Sequence, residues 1–279
     1  MPVKLNNYDL SKHVIILTGA TDGIGKEMAR ILSLFNPKRL ILPARNKVKG
    51  NNLLEYIKFS NGHINNIEIW DMDLEDLQSI IVQNQIIKTK DNFELQFQVN
   101  HLAPFLLTLM LLDTMKKSVS AELPGKIALT SSEANKFGEI DFDNLNLEKG
   151  SYLNPFQAYG NTKLMNVLVT KELSRIVQNE NITTYSLHPG VIITNINHLN
   201  RNYLNYLLYI LLIISRVEIT TEQGAINVLY PVFSHENKET GKYYKDGVEE
   251  EPNKVAYDQE VAKKLWDVSE KILKNHGMI

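Results

Sequence analysis

The chain has 279 residues, 43% of them hydrophobic, and a formal net charge of −2 at pH 7. That is apolar material enough for one α/β domain of ordinary size. A charge balance this close to neutral lacks the basic excess that marks a nucleic-acid binder. With no cysteine in the chain, disulfides and thiolate metal sites are excluded.

Met1 to Lys12 is polar and has no apolar core followed by a cleavage site, which predicts no signal peptide. The longest apolar run, Tyr203 to Ile214, is interrupted by Asn205. It is far shorter than the about 20 residues a spanning helix needs. It reads as a buried or lid helix, with docking on a membrane surface as the alternative. The expected location is cytoplasmic with no transmembrane span, and peripheral membrane contact and a homo-oligomer are left open.

Neither an internal repeat nor a Pro/Gly/Ser linker divides the chain. Val14 to Thr18 is a short β-rich run ending in a glycine turn, and Ile24 to Phe35 follows with apolar residues at helical spacing. Asn36-Pro37 breaks that helix. Leu40 to Leu42 predicts a strand, Lys47 to Phe59 a helix and Ile67 to Trp70 a third strand. Then come Phe93 to Met115 (helix), Lys126 to Thr130 (strand), Tyr159 to Asn179 (helix) and Thr183 to Leu187 (strand). Alternating β and α units imply a mostly parallel sheet covered on both faces. The expected fold class is therefore α/β, a single-domain Rossmann fold with a doubly wound sheet. The cofactor half is expected at about 10–130, the catalytic and substrate half at about 131–279, and a lid at about 191–220.

Thr18-Gly19-Ala20-Thr21-Asp22-Gly23-Ile24-Gly25 lies between the first strand and the first helix. Glycines there permit a tight turn and close approach of the backbone to a pyrophosphate. The helix start offers unpaired N–H groups and a positive dipole end. A carboxylate near the end of the second strand would bind a ribose 2′-hydroxyl, but Pro43-Ala44-Arg45-Asn46 has none. The planar fork of Arg45 suits a 2′-phosphate instead, which favours NADP(H). Asp73-Leu74, just past the third strand, reads either as an adenine contact or as a helix N-cap.

Tyr159 and Lys163 stand four residues apart, a spacing that puts both on one face of a helix. A free tyrosine, with pKa about 10, is almost wholly protonated at neutral pH. A nearby ammonium, together with an oxidised nicotinamide ring, would favour the phenolate. Such a tyrosine can exchange a proton with a carbonyl or alcohol oxygen.

With these motifs in order, the chain resembles the short-chain dehydrogenase/reductase family. It is most similar to the retinol-dehydrogenase-like branch that includes the WW-domain oxidoreductases. The residues that carry the resemblance are the Thr18 to Gly25 turn, Ala44-Arg45-Asn46, Asp73-Leu74, Val99-Asn100-His101-Leu102, Thr130-Ser131-Ser132, Tyr159 to Lys163, His188-Pro189-Gly190-Val191 and Gly241-Lys242-Tyr243-Tyr244. The resemblance implies that Tyr159 is the acid/base, that Lys163 lowers its pKa and holds the nicotinamide ribose, and that Ser132 bonds the reacting oxygen. It implies further that Asn100 anchors a relay water, that Pro189, Gly190 and Thr194 border the nicotinamide, and that Val191 is a cofactor-binding position. Gly19, Thr21, Gly23, Ile24, Gly25, Arg45, Asn46, Asp73 and Leu74 are the positions it assigns to the rest of the cofactor. His101 and His188 form no metal-ligand cluster and read as structural. Thr162 stands where this branch has Ser, and Ala103 where it has Gly.

One departure is large. Between Asp73 and Asn100 the chain is about twenty residues shorter than the family pattern of helix, fourth strand and Asn-Asn-Ala-Gly turn. Ile81-Val82-Gln83-Asn84-Gln85 is the nearest stand-in. A parallel crossover takes at least about 10–12 residues, which Asp76 to Ser79 cannot supply. Either Ile80 to Val82 does not form the usual fourth strand, or the sheet is distorted around 75–90. The function expected is NADP(H)-dependent interconversion of a carbonyl and an alcohol on a small apolar substrate resembling a retinoid, steroid or lipid aldehyde. The alternative is a catalytically impaired NADP-binding or partner-binding homologue, or a truncated isoform.

Overall fold

The computed structural model describes residues 9–73, 88–149, 155–190, 219–234 and 239–279. The chain divides into two compact units, one of Met1–Asp73 with Pro189–Phe233, the other of Leu74–His188 with Ser234–Ile279.

In the first unit, β1 (Val14–Ile16), β2 (Arg39–Ala44) and β3 (Ile67–Asp71) form a parallel sheet in the order β1-β2-β3. Helices α1 (Gly23–Leu34), α2 (Lys47–Asn61) and α5 (Thr221–Phe233) belong to the same unit. Ala29 and Leu32 of α1, Leu53 and Ile57 of α2 and Leu229 of α5 share one buried cluster with Leu40 and Leu42 of β2. The caps are local. Asp22 accepts from the Gly23 N–H at the start of α1, and Asn46 accepts from the Val48 and Lys49 N–H groups at the start of α2. Gly62, at φ 81°, ends α2 in the left-handed conformation usual past a helix end.

In the second unit, β4 (Gly125–Thr130), β5 (Ile182–His188) and β6 (Lys242–Lys245) run parallel, and β7 (Val248–Glu249) returns antiparallel to β6. Asp246 and Gly247 both have positive φ, the conformation of a type I′ hairpin turn. Helices α3 (Leu95–Ser118), α4 (Pro155–Ile176) and α6 (Gln259–Asn275) complete the unit. Phe97 and Phe105 of α3, Leu164 and Leu168 of α4, and Leu265 and Trp266 of α6 lie in its core.

The strands and helices expected up to Leu187 are present with shifted ends. α4 opens at Pro155 rather than Tyr159, since proline suits a first helical position. α3 is long and apolar enough to cross a membrane by length and composition, but 56% of its apolar window is buried inside the protein, as in a core helix. The described strands fall into two sheets, with β1 at the edge of one and β4 at the edge of the other. The expectation for Ile80 to Val82 falls on 74–87, outside the described residues, as does the lid run Tyr203 to Ile214.

Candidate active site

The glycine turn folds as its sequence requires. Gly19 and Gly23 have φ of 69° and 51°, which residues with a side chain rarely adopt. A Cβ on Gly25 would overlap the carbonyl oxygen of Gly19. The first turn of α1 thus lies directly against the strand-to-helix loop, and its leading N–H groups could hold a phosphate. At the end of β2, Arg45 faces Asp73 at 3.7 Å, both half exposed. Asn46 is engaged as the cap of α2. The residues present therefore fit the phosphate-bearing part of a nucleotide.

The second unit assembles a different set of groups. Pro104 has no N–H to give to the Asn100 carbonyl four residues back. The ladder of α3 shifts by one residue over Gln98–Leu102, with the Ala103 N–H donating to Gln98 O. This π-turn carries Asn100, whose Nδ2 donates to Thr162 Oγ1 at 3.1 Å. Thr162 Oγ1 in turn donates to the carbonyl of Tyr159 at 2.8 Å. One hydroxyl therefore ties the α3 bulge to the turn of α4 that bears Tyr159. Lys163 Nζ donates to Thr130 O at 3.3 Å and lies 5.3 Å from the Tyr159 ring centroid. Asn166 Nδ2 also donates to Thr130 O, at 2.9 Å, and Ser131 Oγ donates to Lys163 O at 2.8 Å. The end of β4 is thereby fixed against α4.

Ser132 begins the short 3₁₀ turn Glu133–Phe137, its hydroxyl accepting from the Ala134 N–H. That turn is held by Asn253, whose Nδ2 donates to the carbonyls of Asn135, Lys136 and Gly138 and whose N–H donates to Asn135 Oδ1. Asn135 Nδ2 donates to Ser132 O at 2.7 Å. Gly160 lets α4 approach the turn closely, since a Cβ there would meet Ala134 O at 2.8 Å.

Burial dominates the electrostatics. It raises the pKa of Tyr159, against the downward pull of the Ser132 hydroxyl. Burial also lowers Lys163 to about 8, so the amine is still mostly protonated at neutral pH. The sequence predicts that the ammonium together with an oxidised nicotinamide ring favours the phenolate; among the protein's own groups desolvation is the larger influence on Tyr159 and the Ser132 hydroxyl the opposing one. His101 is sandwiched between Phe97 and Phe105, with Nε2 2.8 Å from Ser269 Oγ. It is a structural histidine.

Of the expected positions, Asn100, Ser132, Tyr159 and Lys163 come together in the second unit. Gly19, Thr21, Gly23, Ile24, Gly25, Arg45, Asn46 and Asp73 lie in the first, with Pro189 and Gly190, the latter at φ 100°. Leu74, Val191 and Thr194 lie outside the described residues. The sequence reading missed Asn135, Gly138 and Asn253. Their bonds link positions more than a hundred residues apart, which leave no local signal.

No family model matches the chain. Human retinol dehydrogenase 14 is 32% identical over 291 aligned positions, covering 92% of this chain and 84% of the relative. The chain belongs to the short-chain dehydrogenase/reductase family. Its relatives include the WW domain-containing oxidoreductase of Gallus gallus, 31% identical over 97% of this chain and 70% of that protein. The human alignment has more positions than this chain has residues, so the relative carries residues that this chain lacks. Solved structures agree on the fold. An uncharacterized protein from Mycobacterium paratuberculosis superposes with a TM-score of 0.71 at 23% identity, covering 95% of each chain. A short chain dehydrogenase from Salmonella enterica serovar Typhi gives 0.59 at 19%, covering 87% of this chain and 99% of that one. The protein is thus a retinol-dehydrogenase-like oxidoreductase of a family that uses NAD(P) and acts between alcohols and carbonyls.

Proposed function

We propose that this protein is an NADP(H)-dependent oxidoreductase that interconverts a carbonyl and an alcohol on a small apolar substrate of the retinoid, steroid or lipid-aldehyde kind. The observation that carries this reading is the linkage of Asn100, Thr162, Tyr159, Lys163 and the end of β4 in one buried network. The names of the relatives and the apolar run Tyr203 to Ile214 support an apolar substrate. Arg45 supports the phosphorylated cofactor. Its ion pair with Asp73 is long and half exposed, hence weak, and its planar fork suits a 2′-phosphate.

When bound, the reduced nicotinamide supplies hydride to the carbonyl carbon. Tyr159 gives its phenolic proton to the carbonyl oxygen, or takes the alcohol proton in the reverse direction. Lys163, charged below about pH 8, opposes the desolvation that disfavours the phenolate. The Ser132 hydroxyl bonds the reacting oxygen and steadies the phenol. Asn100, held by Thr162, presents the α3 bulge to a relay water.

The test is carbonyl-dependent oxidation of NADPH and of NADH, with all-trans-retinal and a panel of apolar aldehydes and ketones. Turnover with NADPH that disappears in Tyr159→Phe is the expected result. The shortfall between Asp73 and Asn100 favours a second reading, a nucleotide-binding homologue without turnover. NADPH binding with no carbonyl reduction would select it.

A further inference from the structure

Asn253 heads the short 3₁₀ turn Lys254–Tyr257, and its Oδ1 accepts from the Val255 N–H at 2.9 Å. A cap needs no more than that acceptor, and serine or aspartate would serve as well. Asparagine adds a pair of donors beside it. Here Nδ2 donates to Asn135 O at 3.1 Å, Lys136 O at 3.2 Å and Gly138 O at 2.9 Å. All three carbonyls lie in or just past the Glu133–Phe137 turn that follows Ser132. The Asn253 N–H donates to Asn135 Oδ1 at 2.9 Å, and its carbonyl accepts from the Ala256 N–H. Every polar atom of the residue is engaged, and most of its bonds reach a turn 115 to 118 positions away.

Those bonds end on the segment that aims Ser132. Asn135 is fully buried and gives both its N–H and its Nδ2 to Ser132 O, at 2.9 and 2.7 Å. It also hydrogen-bonds the Tyr243 hydroxyl. The Ser132 hydroxyl accepts from the Ala134 N–H of the same turn at 3.3 Å. Its own proton is thereby directed to the Tyr159 oxygen, with which it is hydrogen-bonded. Two ion pairs also tie the turn, Glu133 with Lys245 at 2.8 Å and Lys136 with Glu250 at 2.7 Å. Both are partly exposed, and such pairs contribute little. The titratable groups around Tyr159 are Lys163 on its own helix and Tyr243 of β6. A change at Asn253 leaves both in place.

We infer that Asn253 is a positioning residue for the reaction, the clamp that holds the Ser132 turn so that the serine hydroxyl points at the Tyr159 oxygen. The inference rests on the reading of Ser132 and Tyr159 as catalytic groups. Asn253 acts through Ser132 and takes no part in the proton transfer. Rates respond steeply to such placement, since a shift of about 1 Å costs on the order of 10²-fold. A hydroxyl bonded to the phenol oxygen favours the phenolate. A turn released from Asn253 withdraws that bond, and the pKa of Tyr159 rises. Alcohol oxidation needs the phenolate to take the alcohol proton, so it would then require a higher pH.

The experiment is steady-state turnover in both directions, with pH profiles of alcohol oxidation and thermal unfolding, for the wild type, Asn253→Ser, Glu133→Gln, Ala256→Gly and Tyr159→Phe. Asn253→Ser keeps an oxygen to cap Val255 and the backbone N–H bonded to Asn135, and removes the donations of Nδ2. Its kcat should fall about ten- to a hundredfold, with KM for the nucleotide unchanged. The rising limb of kcat in oxidation should move to higher pH. Glu133→Gln loosens the same turn at its start and should show both changes on a smaller scale; it decides alone if Asn253→Ser does not fold. Ala256→Gly weakens the segment after Asn253 but leaves the Asn253 side chain in place, so at an equal loss of Tm it should keep kcat and the limb. Wild-type kcat and pH limb in Asn253→Ser, or equal losses in Ala256→Gly, would overturn the clamp. Loss of turnover in Tyr159→Phe would leave the catalytic reading standing in either case. A wild type without turnover would overturn both.

Discussion

Gly138 and Gly160 meet face to face: a Cβ on Gly138 would stand 2.5 Å from the Gly160 carbonyl oxygen. This contact sets the Ser132-bearing turn against α4, one residue after Tyr159. Gly160→Ala would gain about 1 kcal/mol of helix propensity. It would also drive a methyl into Ala134 O, a backbone atom that cannot swing aside. Overpacking of this kind costs about 1–3 kcal/mol, so the net effect is a modest loss of stability with a larger loss of kcat as Ser132 and Tyr159 separate. Urea unfolding and turnover of the variant check this. A Gly160→Ala protein with wild-type kcat would show that the spacing does not matter.

Thr162 bridges Asn100 to the Tyr159 carbonyl through a single hydroxyl. Thr162→Val keeps the shape but leaves the buried Asn100 amide without that acceptor, at a cost of about 1–3 kcal/mol. Thr162→Ser restores the hydroxyl and should recover both stability and activity. If valine and serine behave alike in denaturant titrations, the bridge contributes nothing.

The elements around this bridge were readable because each rests on local pattern. The Tyr-x-x-x-Lys spacing, the β-rich run before Ser131 and the glycine turn each declare themselves within ten residues. α6 is legible as well, since Ala262, Leu265, Trp266, Ser269 and Leu273 keep helical spacing and are buried. α5 is masked by Pro231, which reads as a breaker although the helix runs through it. β6 is only four residues long and lacks alternation. Its signal is the Asp246-Gly247 pair that turns it into β7. The bonds from Asn253 to the Ser132 turn span 115 to 118 positions, and no single sequence encodes such a pairing locally.

Arg45 gives a direct test of cofactor choice. Hydrogen bonds to charged groups are worth about 1.5–3 kcal/mol, and every 1.4 kcal/mol is about tenfold in affinity. Arg45→Ala should therefore weaken NADPH about tenfold or more and leave NADH nearly unchanged. Thermal-shift titration with both nucleotides reads the difference. Equal weakening of the two would mean that Arg45 does not meet a 2′-phosphate.

His101 makes stability depend on pH. Burial lowers its pKa from 6.5 to about 3, so the folded protein keeps it neutral where the unfolded chain protonates it. Above about pH 6.5 the two states bind the same number of protons at this site and it adds no pH dependence. As pH falls from about 6.5 towards 3, the unfolded chain takes up a proton that the folded chain refuses, and stability drops. His101→Phe keeps an aromatic ring between Phe97 and Phe105 and removes the titration, but it leaves Ser269 Oγ without its partner. The variant should be less stable than the wild type by about 1–3 kcal/mol at about pH 8. Its deficit should shrink steadily below about pH 6.5, with one proton fewer taken up on unfolding. Urea unfolding of both proteins at intervals down to about pH 5 measures this. Stability curves that stay parallel across that range would show that His101 titrates alike in the folded and unfolded states.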